Sequence, residues 1–145
     1  MCKDIISRYL KSIKAKRCLD AGCGPEVYGL FIFKHNLSRE AVFLDINAYM
    51  LKHVKKELGR YYVLSHIVHA GINNMPFRNE VFEIILAEGG SLTQRRSRED
   101  VVKGLSEIRR ILKNKGLFLG SISNIYSRTV VKIATIRNVE DISEI

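Results

Sequence analysis

The sequence predicts an α/β fold: a doubly wound, mostly parallel sheet with helices on both faces, three layers in all. Three observations predict it. Short β-like apolar runs alternate with segments of helical spacing, which is the order of βαβ units. One run, Phe82-Glu-Ile-Ile-Leu-Ala-Glu88, is apolar almost throughout, as a strand covered on both faces must be. A glycine-rich turn, Asp20-Ala-Gly-Cys-Gly24, follows the apolar Cys18-Leu19 and opens a stretch of helical character.

The elements follow in order. Residues 3–14 place Ile5, Ile6, Tyr9, Leu10 and Ile13 on one face, so an N-terminal helix is expected within 1–14. The core, 17–122, begins with a strand at 17–21. Residues 26–36 read as a helix with Val27, Leu30 and Phe31 inward. Strand two is 41–45, and a helix follows at 48–58, with Gly59 suited to its C-terminal cap. Tyr61 to Ala70 reads as strand three and Phe82 to Glu88 as strand four. A helix over 98–113 sets Val101, Val102, Leu105, Ile108 and Leu112 on one face, and Lys115-Gly116 turns into strand five, Leu117 to Ile122. In the tail, 123–145, residues 125–136 are apolar and β-branched and fit a helix or a strand equally, and 137–145 are polar and acidic. No repeat or linker interrupts 1–145, which reads as a single domain.

Composition narrows the class. The chain of 145 residues is 46% hydrophobic and 27% charged, a globular balance. Its apolar runs are far shorter than a bilayer span, and its first residues lack the apolar core of a signal peptide. Cys2, Cys18 and Cys23 give an odd count without metal-like spacing, which predicts reduced thiols, a cytoplasmic protein and no metal site. The net charge of +9 is concentrated in residues 1–17, six basic to one acidic, and 91–116, eight to three. Tyr9 is the one aromatic residue among them, and 91–116 has none, so a solvated surface is favoured over nucleic-acid or membrane binding.

The chemistry points to a nucleoside. A second acid, Asp45, ends the run Ala41-Val-Phe-Leu-Asp45, 21 residues after Gly24. Strand, glycine turn, helix and an acid at the next strand tip form a nucleoside-binding half-fold, in which the acid can accept both hydroxyls of a ribose. Glu88 is costly to bury at the end of an apolar strand, so it belongs in a cleft or beside a partner.

At these residues the chain resembles the Class I methyltransferases that use S-adenosylmethionine (SAM), in their general small-molecule group. The resemblance covers 17 to about 122 and rests on four segments in order: Asp20-Ala-Gly22-Cys-Gly24-Pro-Glu26; Asp45-Ile46; Gly71-Ile-Asn-Asn-Met75-Pro76-Phe77 with Asn79-Glu-Val-Phe82-Glu83; and Arg110-Ile-Leu112-Lys113-Asn-Lys-Gly116. It implies a Rossmann-like fold, SAM as cofactor, S-adenosyl-L-homocysteine as product, and methyl transfer to an unidentified acceptor by direct displacement. It implies cofactor contacts from Asp20, Ala21, Gly22, Cys23, Gly24, Asp45, Ile46, Gly71, Ile72 and Glu88. Gly22 to Gly24 would lie against methionine and ribose, Asp20 near the ammonium, Asp45 on the ribose diol, and Ile46 on the adenine face. Gly71-Ile72 would meet the adenine edge, and Glu88 is the candidate catalytic group. Two positions depart from the pattern: Glu26 replaces a third glycine, and Gly71 stands where an acid often reaches adenine. The family's sheet usually has seven strands, and this chain is expected to lack part of the C-terminal set. The edge so left would be covered by the tail or by a second copy in a homodimer.

Other readings have less support. A nicotinamide dehydrogenase needs Gly-x-Gly-x-x-Gly, and the sixth position from Gly22 is Val27. A degenerate, non-catalytic binding module is the main alternative, favoured by the two departures and by the short C-terminus. Base methylation lacks its usual Pro-Pro signature, since strand four runs into Ala87-Glu88-Gly89-Gly90. Cys23 has no nearby histidine to activate it, His66 and His69 fall on opposite faces of a strand, His35 and His53 read as surface residues, and Arg95-Arg96-Ser-Arg98 reads as a solvated loop.

Overall fold

Cys18 and Leu19 are chain neighbours and both wholly buried, yet they belong to different cores. Successive side chains of a strand point to opposite faces, so a central strand with both faces covered must be apolar at every position. The computed structural model describes residues 14–25, 29–61, 64–88, 90–92, 97–123 and 131–136, with the backbone alone from 121 onward. The expected helix at 3–14, Glu26 and Val27, Gly89 and Arg95-Arg96 lie outside the described residues, as does the acidic stretch 137–145.

The described elements are β1 (Ala15–Ala21), α1 (Gly29–Lys34), β2 (Ser38–Asp45), α2 (Ala48–Leu58), β3 (Leu64–His69), β4 (Phe82–Ala87), α3 (Arg98–Ile111), β5 (Leu112–Ser123) and β6 (Val131–Ile136). They form one sheet in the order β3-β2-β1-β4-β5-β6. The first five strands are parallel, and β6 runs antiparallel along β5, pairing Phe118 with Ile136 and Ser123 with Val131. The segment 125–136, which fits helix or strand by sequence, thus contains a strand, and the sheet continues past strand five.

Two cores flank the sheet. On one face Cys18, Phe43, Ile84 and Leu86 pack with Ile32 of α1 and Leu51, Val54 and Leu58 of α2. On the other, Leu19, Leu44, Ile85 and Phe118 pack with Leu105, Ile108 and Ile111 of α3. Helix α2 starts where Asn47 caps it, its side chain accepting the Tyr49 amide at 2.9 Å. Helix α3 starts with a capping box: Ser97 Oγ accepts the Asp100 amide at 3.1 Å, and Asp100 accepts the Ser97 amide at 3.3 Å.

The structure corrects several details of the elements. In α1 it is Ile32 that is fully buried, with Leu30 and Phe31 only partly so, because an unbroken apolar run does not fix the phase of a helix. Helix α3 stops at Ile111, and Val102 is 56% exposed, a step off the stripe formed by Leu105, Ile108 and Ile111. Strand β5 begins at Leu112, paired to Phe82, and then jumps register so that Leu117 pairs with Ile84. The extra residues bulge out through Lys115, whose φ is 63°. Gly59 caps α2 in a right-handed conformation, with its amide on Lys55 O at 3.2 Å.

Candidate functional site

In a doubly wound sheet, ligands bind beyond the carboxyl ends of the strands where the strand order reverses. Here that place is β1, whose neighbours β2 and β4 depart in opposite directions. A cleft of about 270 Å³ opens there, lined by Gly22, Gly24, Pro25, Leu44, Asp45, Ile46, Asn47, Met50, Ala70, Ile72 and Ser91. Every strand from β1 to β4 contributes its tip or the loop that follows it.

The turn after β1 is shaped from both sides. Gly22 has φ 72°, in the left-handed region, and a β-carbon built on it would lie 2.4 Å from Ser91 Cβ. Both conformation and space therefore require glycine. The amides of Gly22 and Cys23 donate to Leu44 O at 2.7 and 3.1 Å, and Gly24 donates to Asp45 Oδ2 at 2.9 Å. The other oxygen of Asp45 accepts the Asn47 amide at 2.8 Å. A carboxylate has about four acceptor sites, so Asp45, 8% exposed in the cleft wall, retains acceptor capacity toward a ligand.

Asp20 is placed differently. It is 2% exposed and absent from the cleft lining, and its Oδ2 accepts the Gly29 amide at 2.6 Å at the start of α1. Burial pushes its carboxyl up to about 7; the Gly29 hydrogen bond opposes the rise, and the charges of Glu88 and Asp45 add to it. Glu88, just past β4, is 6% exposed. Three acidic groups thus gather at the tips of β1, β2 and β4 in a chain of net charge +9. Burial likewise raises the Cys18 thiol to about 12, and raises Cys23, with Asp20 and Asp45 adding to that second rise. Neither is a thiolate nucleophile at neutral pH.

The far wall of the cleft follows β3. Ile72 is buried, and Ile46, 67% exposed, reaches over Gly71: a β-carbon there would stand 3.4 Å from Ile46 Cδ1. This segment is tied to α3. Arg110 donates to Phe77 O at 2.6 Å and Met75 O at 3.0 Å, and Glu107 accepts the Met75 amide at 2.7 Å. Arg110 also bridges Glu107 at 2.7 Å, which holds the Glu107 carboxyl below its usual range.

Of the residues expected from sequence, the structure brings Gly22, Gly24, Asp45, Ile46 and Ile72 to the cleft. Ala21, Cys23, Gly71, Asp20 and Glu88 lie around it without lining it. Sequence reasoning missed Pro25, Leu44, Asn47, Met50, Ala70 and Ser91. Asn47 carried a signal, as a helix cap two residues after an acid; Ser91 carried none, since only the fold brings it to Gly22. The histidines are engaged elsewhere: His66 with Glu40 at 3.0 Å and His69 with Ile46 O at 2.8 Å, while His35 and His53 are exposed. Among the described residues no group of three His, Cys, Asp or Glu is arranged to hold a metal, and no helix is long and apolar enough to cross a membrane.

Comparison with known proteins gives a consistent result. Residues 18–116 match the family described as Methyltransferase domain. Over 124 residues the chain is 32% identical to Uncharacterized protein MJ0638 of Methanocaldococcus jannaschii, a match covering 82% of this chain and 47% of that protein. The chain spans about half the length of the curated relatives it matches. A S-adenosylmethionine-dependent methyltransferase of Clostridium acetobutylicum shares the fold with a TM-score of 0.74 at 19% identity, over 86% of this chain and 50% of that one. The YcgJ protein of Bacillus subtilis does so with 0.70 at 21% identity, over 81% and 48%.

Proposed function

Since the chain belongs to the methyltransferase domain family, we propose that it binds SAM in the cleft at the tips of β1 to β4 and transfers the methyl group to an acceptor. The observation that carries this reading is Asp45. Its carboxylate stands at the tip of β2 in the cleft wall, locked to the glycine turn through Gly24, with acceptor capacity left for a diol. The donor set fits the cofactor: the acidic groups at three strand tips favour a ligand that carries an ammonium and a sulfonium. The apolar Ile46, Met50 and Ile72 offer surface to a flat base.

When bound, SAM supplies a methyl carbon already activated for displacement. The protein then has to align and desolvate rather than form a covalent intermediate, so positioning is its main catalytic device. Asp45 fixes the ribose, the Gly22–Gly24 turn admits close approach of the backbone, and Glu88 is the candidate to take a proton from the acceptor. The test is calorimetric titration with S-adenosyl-L-homocysteine. Micromolar binding abolished by Asp45→Ala supports the reading, and no binding by the wild type overturns it.

A second reading is a non-catalytic binding module. Two observations favour it: Gly71 offers no side chain to the base, and Asp20 is committed to the Gly29 amide. It predicts weak or absent SAM binding, or binding with no methyl transfer to any acceptor. Methyl transfer that Glu88→Gln slows without weakening homocysteine-product binding would exclude it.

A further inference from the structure

The hydroxyl of Ser91 is shielded from solvent and, alone among the described buried side-chain nitrogens and oxygens, has no hydrogen-bond partner. A buried hydroxyl left unpaired is destabilising, so a native one points to a partner that the protein itself does not provide. Ser91 lines the cleft, and its Oγ lies 3.3 Å from the position of a β-carbon on Gly22, at the floor of the glycine turn. Asp45 and Ser91 follow β2 and β4, with β1 between them in the strand order. A ligand anchored on Asp45 by its ribose and laid across the turn therefore brings its other end to Ser91. Among the described residues no lysine or arginine lines this cleft, and the Asn47 amide is the one other side-chain donor in its lining besides Ser91. The acceptors there are plentiful and the donors scarce.

We propose that the Ser91 hydroxyl donates a hydrogen bond to the α-carboxylate of the cofactor's amino-acid end, and so sets recognition of that end. This rests on the SAM reading above. The hydroxyl is a neutral donor, which binds the carboxylate without adding a positive charge beside the sulfonium.

The experiment compares wild type and Ser91→Ala by calorimetry against two compounds: S-adenosyl-L-homocysteine and 5′-methylthioadenosine, which keeps the adenosine and thioether but lacks the amino acid. Thermal unfolding of the unliganded proteins accompanies it. The expected result is an affinity for S-adenosyl-L-homocysteine about tenfold lower in the variant, as loss of one charge-assisted hydrogen bond predicts. Affinity for 5′-methylthioadenosine is expected to be unchanged, and the unliganded variant to unfold at the same or a higher temperature. Equal weakening toward both compounds, or no change toward either, overturns the assignment of Ser91 alone. Wild type that binds neither compound overturns the cofactor reading, and this inference with it.

Discussion

Asp45 and Gly24 are joined by a 2.9 Å hydrogen bond from the Gly24 amide to Asp45 Oδ2, which locks the tip of β2 to the turn that follows β1. Because Oδ1 also holds the Asn47 amide, one side chain fixes two walls of the cleft. Asp45→Ala leaves two backbone donors without their acceptor and should cost about 2 kcal/mol in urea unfolding, besides abolishing ligand binding. Asp45→Asn retains one carbonyl oxygen. It should recover much of the stability but little of the affinity; near wild-type affinity in Asp45→Asn would show that binding does not depend on the charge.

The contact of Gly22 with Ser91 can be dissected by a double-mutant cycle. Gly22→Ala meets both an unfavourable φ of 72° and a β-carbon 2.4 Å away, so a loss of about 2–4 kcal/mol is expected. Ser91→Gly in the same chain removes the collision and leaves the strain. The double variant should therefore be more stable than the sum of the single changes by about 1 kcal/mol. Simple additivity would mean that the backbone relaxes around the new methyl group.

Asp20 gives stability a pH dependence of unusual sign for an aspartate. The folded protein keeps this proton until about pH 7, whereas the unfolded chain releases it near about pH 4. Between those values the folded state holds more protons, so the stability Asp20 contributes is fully present below the lower value and is lost as pH rises through the upper one. The thermal midpoint of wild type should fall relative to Asp20→Asn between about pH 4 and about pH 7 and level off above that. Glu88→Gln, by removing one nearby negative charge, should move the inflection to lower pH. A difference between wild type and Asp20→Asn that is flat with pH would refute the cause assigned here.

Arg110 joins α3 to the segment that leads Ile72 into the cleft. Its fork donates to the carbonyls of Met75 and Phe77, and Glu107, which it bridges, accepts the Met75 amide. Arg110→Ala should cost about 1–3 kcal/mol, and Arg110→Lys should recover little, because an ammonium cannot reproduce the planar fork. Hydrogen exchange at the Met75 amide is the direct readout: it should quicken in both variants.

The parts of the fold legible in the sequence were those with a clear period or a backbone demand. Strand β4 announced itself as apolar on both faces and β2 as a short apolar run ending in Asp45, α2 was bounded correctly at 48–58, and the glycine turn with Asp45 marked the cleft. The Arg110 motif was also visible, although its job was not. What stayed hidden depended on distant partners. The stretch 125–136 has β-branched composition without a period, and only pairing with β5 makes residues 131–136 a strand. Asp20 was expected near the ammonium, directly or through water; that its carboxylate also accepts the Gly29 amide at the start of α1 could not be read from the sequence. Ser91 could not be found, because its importance lies in its distance from Gly22 and not in its neighbours along the chain.

The strand order carries a further consequence, for kinetics. The Arg17 amide meets the Glu83 carboxylate at 2.8 Å across 66 residues of sequence, and the β1–β4 ladder follows from there. Of the strand pairings this closes the longest loop, and such non-local closures slow folding. The cleft sits on that seam, taking Gly22 from one side and Ser91 from the other, so neither half of the chain contains it alone. A ligand bound across it would act as a clasp, and its effect should appear as slower unfolding and leave the rate of folding nearly unchanged.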